Sequence, residues 1–230
     1  MNRLLAVLRL HLIVLTRALA MPWGILALAW GASVALFASF GGRGDVVIVG
    51  GLSSLYITLF IASLQAVTTT LSFALSLGAT RRQYYVGTCL FFAAQALAAG
   101  VVLALMRSAE QATGGWGTHL TFFDIPYLVG GGPVHAAVAY AGSLALGCGA
   151  GLATGVVSRR WGTVGASVLS AALVVLPGAL GWWIAARGWF PAIGRWFADQ
   201  PEVALQALWP TVLAAVLVLL GWPAIRRIPA

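Results

Sequence analysis

The sequence contains no lysine, and its 230 residues include only five acidic residues and two cysteines. Without lysine it cannot contain the phosphate-binding motif G-x-x-x-x-G-K-[ST], so the chain supplies no Walker-type ATP site. No acidic residue lies in an apolar segment, which disfavours ion-coupled secondary transport and an intramembrane metal site. Cys89 and Cys148 lack metal-ligand spacing, and we predict that both are free, buried thiols. We therefore expect no metal and no other cofactor on this chain.

Apolar residues dominate instead, since 61% of the residues are hydrophobic and 8% are charged. Such a composition cannot provide a polar surface, so we predict an all-α integral membrane protein. A membrane span needs about 20 apolar residues. Six segments without a charged residue meet this need: 22–40, 46–71, 86–106, 134–156, 163–186 and 204–223. No loop is long enough to bury its own core, so residues 1–230 are predicted to form one multi-pass transmembrane domain.

The basic residues are all arginines, and the six predicted spans sort them by side. With both termini in the cytoplasm, the inner side holds no acid and these arginines: Arg3, Arg9, Arg17, Arg81, Arg82, Arg159, Arg160, Arg226 and Arg227. All acidic residues lie outside, and the reverse orientation would violate the positive-inside rule at every loop. Anionic membrane lipids are the expected partners of the inner arginines. Because the arginines are dispersed, we expect no nucleic-acid binding.

Residues 1–20 precede the first span and are predicted to form an amphipathic helix at the inner membrane interface. Its leucines and its arginines fall on opposite sides of a helical projection. The chain would then turn at Met21 and Pro22 into the first span. A cleaved signal peptide is the alternative, because Ala18 to Ala20 imitate a cleavage site, but Arg9 and His11 interrupt its apolar stretch.

The second span is the most polar one and extends to about Gly78. At about 100° per residue, one face carries a continuous polar stripe: Ser54, Thr58, Gln65, Thr68, Thr69 and Ser72. The stripe has two interpretations. Its hydroxyls could bond to their own helix within a packed bundle, or the face could line a translocation route or a seam between subunits. Gln65 discriminates best, because the local backbone satisfies an amide less readily than a hydroxyl.

Residues 72–88 connect the second and third spans on the cytoplasmic side. Gly78 is a predicted helix stop and Thr80 a predicted helix cap, followed by Arg81, Arg82 and two tyrosines. We predict a short helix that crosses the cytoplasmic surface here. An ordinary positively charged loop with aromatic anchors is the alternative interpretation.

The segment FALSLGATRRQYYVGT, which begins at Phe73, resembles the loop after the second span in permease subunits of bacterial ATP-binding-cassette (ABC) exporters. The resemblance is to small six-span members of the type-2 exporter class. It implies that this loop is a coupling helix that docks on a nucleotide-binding subunit. The residues it assigns to the ATPase contact are Gly78, Thr80, Arg81, Arg82, Gln83, Tyr84 and Tyr85.

The same resemblance implies a location in the bacterial plasma membrane, two copies of a cytoplasmic ABC ATPase, and a second permease subunit that is identical or homologous. ATP and Mg would bind to the ATPase, so this chain would not itself be an enzyme. Few charges along the spans favour a lipid-like, peptide or amphipathic drug as cargo, and export follows from the resemblance alone.

Two further patterns concern packing. Gly147, Gly151 and Gly155 repeat every four residues and predict close helix packing, within the bundle or across a dimer seam. The aromatic and charged segment 187–202 is typical of an outer interface or a short re-entrant turn.

Two other classes of function remain as alternatives. A non-transporting membrane scaffold would also use small-residue stripes. An intramembrane serine protease would need a G-x-S-x-G turn, but Gly165, Ala166 and Ser167 are followed by Val168, and the histidines lie at or beyond the membrane edges. The enzyme is therefore the weaker alternative.

Overall fold

We describe the fold from a computed structural model, which defines residues 3–39, 47–48, 50–125 and 128–226. The described chain is predominantly helical. Its helices are α1 (Arg3–Ser39), α2 (Ser53–Gln65), α3 (Leu71–Ser76), α4 (Arg81–Ala112), α5 (Pro133–Ala186), α6 (Phe190–Ala198) and α7 (Trp209–Ile225). A 3-10 turn, Gly50–Leu52, precedes α2, and π-helical segments occur at Ala66–Thr70 and Ala204–Leu208. Two short strands, β1 (Val47–Ile48) and β2 (Leu120–Thr121), pair in parallel.

Five helical segments of the described chain are long and apolar enough to cross a membrane: Ala20–Ser39, Gly50–Ser76, Arg81–Ala112, Pro133–Ala186 and Ala204–Ile225. The prediction of a helical protein with several apolar helices of membrane-spanning length is therefore confirmed. The predicted spans at 134–156 and 163–186 fall within one helix, α5.

Helix α5 has 54 residues, which at about 1.5 Å per residue would extend about 80 Å if it were straight. A hydrocarbon layer is only about 30 Å thick. Gly162 interrupts the helix, because its φ of 64° and ψ of −153° are not helical. This position separates the two predicted spans, so six crossings remain a prediction that depends on Gly162.

Helix α1 differs from the sequence prediction. It continues through Met21 and Pro22, so the predicted turn at these residues is wrong. Proline removes one backbone hydrogen bond, but its fixed φ is itself helical, and the alanines and leucines on either side favour a helix. The interfacial position of residues 1–20 remains a prediction.

Helix α5 packs against α2, α4 and α7 through its first half. Small residues permit the close approach: a Cβ atom at Gly100 of α4 would overlap Ala137, and one at Gly142 would lie 2.7 Å from the Ala207 carbonyl oxygen. Cys148 is buried in this core and Cys89 is only partly buried, and both are free thiols. Helix α4 begins at Arg81 and has Glu110 in its last turn. We therefore name the two ends of the bundle the Arg81 end and the Glu110 end.

Candidate functional site

The turn at the Arg81 end is built by local rules. Helix α3 ends at Ser76, and Gly78 adopts the left-handed conformation, with a φ of 83°. The Gly78 amide bonds to Leu75 O at 3.0 Å and the Ala79 amide bonds to Ala74 O at 3.1 Å. This pair of bonds is the Schellman motif that glycine favours. The predicted helix stop at Gly78 is therefore confirmed.

Thr80 caps α4, as predicted. Its hydroxyl accepts a hydrogen bond from the Gln83 amide, and the Gln83 side chain accepts one from the Thr80 amide, each at 3.2 Å. The predicted separate short helix is wrong, however, because Arg81 begins the 32-residue helix α4. No break follows Arg81, since Gly87 is helical and is buried within α4.

The exposed part of this turn consists of Ser76, Leu77, Gly78, Thr80 and Arg82. Leu77 is 62% exposed although it is apolar. The sequence has no acidic residue between Asp45 and Glu110, so the charge of the turn is entirely positive. The turn thus exposes a leucine and an arginine, without an acidic neighbour in sequence.

Tyr84 and Tyr85, which follow the turn, point into the bundle in two directions. The Tyr84 hydroxyl donates to Ala66 O at 2.6 Å, and the Tyr85 hydroxyl donates to Val218 O on α7 at 2.8 Å. Both side chains are buried. The expectation that these tyrosines touch a partner therefore needs correction. They connect the turn to the helical segment Gly50–Ser76, which we name the second span segment, and to α7.

The polar stripe lies mainly away from the packed side. The second span segment buries one side against the rest of the chain. The residues of this packed side are Leu55, Leu59, Ser63, Ala66, Val67, Leu71 and Ala74. Gln65, Thr69 and Ser72 are exposed, and Ser54, Thr58 and Thr68 are partly buried. None of the six side chains is thus fully buried, and half of them are exposed.

The hydroxyls of the stripe bond mostly to their own helix. Thr58 donates to Ser54 O at 2.7 Å, Thr68 donates to Leu64 O at 3.1 Å, and Thr69 donates to Gln65 O at 2.7 Å. Ser72 accepts a hydrogen bond from Arg159. Back-bonding therefore explains the threonines, whereas the exposed Gln65 amide is the group that remains suited to an external polar contact.

The predicted stripe is also interrupted. The hydrogen bond of a π turn joins residues i and i+5 instead of i and i+4, so the turn contains one extra residue. The residues after Ala66–Thr70 are therefore rotated about the helix axis by about 100° relative to an uninterrupted α-helix. Ser72 therefore lies about 100° away from the face that carries Thr58 and Gln65. The continuous stripe predicted from a uniform α-helix is wrong in this respect.

Two of the three glycines in the α5 stripe lie in close helix contacts, and the third lies in open space. A Cβ atom at Gly151 would overlap Ser63 and Phe60, and one at Gly155 would lie 2.9 Å from Leu64 O. These two glycines thus let the second span segment approach α5. Gly147 has no atom within 4 Å of the corresponding position.

Sequence analysis did not identify the polar network at the Glu110 end. Glu110 is buried, and its carboxylate accepts bonds from the Phe122, Phe123 and Asp124 amides and from the Trp116 indole. Arg107 pairs with Asp124 at 2.6 Å. Each charged side chain thus has a defined partner, and the network holds the connection between α4 and α5. Within the described ranges, no group of three or more His, Cys, Asp or Glu residues is arranged to hold a metal ion.

Comparison of the chain with protein-family models, with curated proteins and with solved structures finds no match.

Proposed function

We propose that this chain is the transmembrane permease subunit of an ABC transporter, which exports a lipid-like, peptide or amphipathic substrate with ATP hydrolysed by a separate subunit. The observation that carries the proposal is the construction of the turn at the Arg81 end. Its outer surface is exposed and positively charged, while Tyr84 and Tyr85, which follow the turn, bond to the second span segment and to α7. A force applied to the turn would therefore reach two helices of the bundle.

The docking surface of the proposal is the exposed set Leu77, Gly78, Thr80 and Arg82. An exposed apolar side chain together with exposed polar groups and an arginine is the composition expected for a small protein contact. The partner would be a cytoplasmic ABC ATPase, in two copies, with ATP and Mg bound in its own site. Because this sequence has no lysine, it cannot contribute a Walker motif.

The proposed topology has six spans and cytoplasmic termini in a bacterial plasma membrane. Gly162 supports the sixth span, because it interrupts α5 between two segments that are each long enough to cross. The arginines support the orientation, because Arg81, Arg82, Arg159, Arg160 and Arg226 all lie in the segments that the proposal places inside.

A second permease subunit, identical or homologous, completes the proposed complex. No described residue from 157 to 206 is buried, so the half of α5 after Gly162 contributes little to the core of this chain. The polar face with Gln65 also turns outward. A polar group that faces away from its own bundle is satisfied by another subunit or by a water-filled route rather than by lipid.

Affinity purification of the full-length protein from its native membrane in mild detergent tests the proposal. A stoichiometric ATPase with a Walker motif in the eluate is the expected result. Its absence in several detergents, with the chain itself intact and folded, would contradict the permease assignment and favour a scaffold.

A further inference from the structure

The π-helical segment Ala66–Thr70 brings the buried residues that follow it onto the same side of the helix as those that precede it. With Leu55 set at zero degrees, Leu59 and Ser63 lie at about 40° and 80° on that face. In an uninterrupted α-helix Leu71 and Ala74 would lie at about 160° and 100°, partly off the packed side. The extra residue of the π turn brings them to about 60° and 0°. Both side chains are buried accordingly, each 1% exposed.

An α-helical register would bury different residues. Phe73 would then lie at about 0°, on the packed face, in place of Ala74. In the structure Phe73 is 53% exposed, although it is a large apolar side chain. At the position of Ala74 the sequence thus offers an apolar side chain in either register, whereas Thr70 would take the place of Leu71 at about 60°. An element with two arrangements can exchange such side chains.

The hydroxyl of Tyr84 bonds to the π turn. It donates to the carbonyl of Ala66, the first residue of the π segment, at 2.6 Å in a buried environment. A side chain that bonds to a helix carbonyl stabilises a departure from the α-helical ladder at that point. Thr69 adds a bond from its hydroxyl to the carbonyl of Gln65, the residue before the segment.

Helix α5 packs closely against the beginning of the same turn. A Cβ atom at Gly155 would lie 3.0 Å from the Val67 Cβ and 2.9 Å from Leu64 O. The part before the π turn is therefore fixed against α5. A change of register would rotate mainly the part after it, which includes Ser72 and Ser76 and leads directly into the exposed turn, and it would break the bond from Arg159 to Ser72.

We propose that Ala66–Thr70 is a register switch, that Tyr84 holds it in the π form, and that loss of the Tyr84 bond shifts it toward the α form. In the α form Ser72 and Ser76 align with Thr58 and Gln65, so that the polar stripe becomes continuous. The switch is a property of this chain alone. Only its role in opening a route rests on the proposed function.

The test uses single cysteines in the full-length protein, with Cys89→Ser and Cys148→Ala, reconstituted in lipid vesicles. Reaction rates with membrane-permeant N-ethylmaleimide are measured for Phe73→Cys and Ala74→Cys, with Leu59→Cys and Ile61→Cys as reporters before the π turn. With Tyr84 intact, we expect the cysteine at 73 to react faster than the one at 74. Tyr84→Phe should lower the reaction rate of the cysteine at position 73 and raise that of the cysteine at position 74. The rates at positions 59 and 61 should not change.

Two variants make the result specific. Tyr85→Phe removes the neighbouring hydroxyl, which bonds to α7, and should leave the order of 73 and 74 unchanged. Deletion of Thr69 removes the extra residue of the π turn, so Tyr84→Phe should have no effect in that background.

An unchanged order of rates in Tyr84→Phe would overturn the proposal. So would a rise at all four positions, because general loosening, and not a change of register, would explain it. The measurement needs neither an ATPase nor a cargo, so its failure is distinct from failure of the permease assignment.

Discussion

The hydroxyl of Tyr85 lies so close to Gly221 that a Cβ atom at position 221 would overlap it. The absence of a side chain at Gly221 lets the hydroxyl reach Val218 O on the same helix, α7. The contact joins the first turn of α4 to the end of α7, beside the Tyr85–Trp222 ring pair.

Gly221→Ala should therefore destabilise the protein, by about 1–3 kcal/mol, because the added methyl group displaces the Tyr85 hydroxyl. The melting temperature in detergent, followed by size-exclusion chromatography after heating, measures the effect. Gly147→Ala is the matched control, since that position is open, and it should not lower the melting temperature. In the double variant, Tyr85→Phe should recover part of the stability lost in Gly221→Ala, because it removes the overlapping hydroxyl. If the double variant recovers none of it, the steric explanation is wrong.

Glu110→Gln should loosen the connection between α4 and α5. The carboxylate accepts hydrogen bonds from three backbone amides and from the Trp116 indole. In glutamine an NH2 group replaces one of the two accepting oxygens, so N–H groups would face each other there. A loss of about 1–3 kcal/mol follows from the unpaired buried groups. Limited proteolysis of residues 113–132 provides the measurement, with the exposed Asp199→Asn as control. Equal cleavage rates in both variants would refute the structural role of Glu110.

The charge of the docking surface gives a prediction about the partner. Arg82→Glu should abolish most ATPase association, because it places an acid where the partner would expect an arginine. The chain should still insert and elute as a folded species, since Arg82 is exposed. Arg160→Glu makes the same charge change at a residue on α5 that stacks over Trp161, outside the turn. Identical ATPase retention by both variants would place the contact elsewhere.

Gln65→Leu tests the outward polar face. The residue is exposed, so its replacement should preserve the amount of folded protein and the associated ATPase. We expect a lower substrate-dependent ATPase rate in the reconstituted complex, because the amide would face the route or the partner subunit. Thr58→Val is a suitable comparison, since the Thr58 hydroxyl lies before the π turn and bonds to its own helix, so its loss should matter less. A loss of folded protein in Gln65→Leu would instead support a packing role.

The parts of the fold that follow from local rules were predictable. Gly78 and Thr80 were identified because a left-handed glycine and a threonine cap each act within a few residues. The long apolar segments were predictable for the same reason, since their signal is composition. The continuation of α1 through Pro22 was missed, because proline lowers helix stability without excluding a helix.

The rest depends on contacts between distant residues. The π turn is in contact with the Tyr84 hydroxyl, which comes from another helix, and it places Leu71 on the packed face. Glu110 binds amides that lie 12 to 14 residues away, with no spacing signal in the sequence. The direction of the polar face was left open by its periodicity, because a stripe indicates which residues share a side and not what that side faces.

Site-specific photo-cross-linking at Leu77 is the most direct test of the permease assignment. A benzophenone amino acid at this exposed position, irradiated in the native membrane, should capture a cytoplasmic ATPase that carries a Walker motif. The same probe at Leu213, exposed on α7, should not capture it. An intact, membrane-inserted protein that gives no such ATPase cross-link at Leu77 would contradict the account.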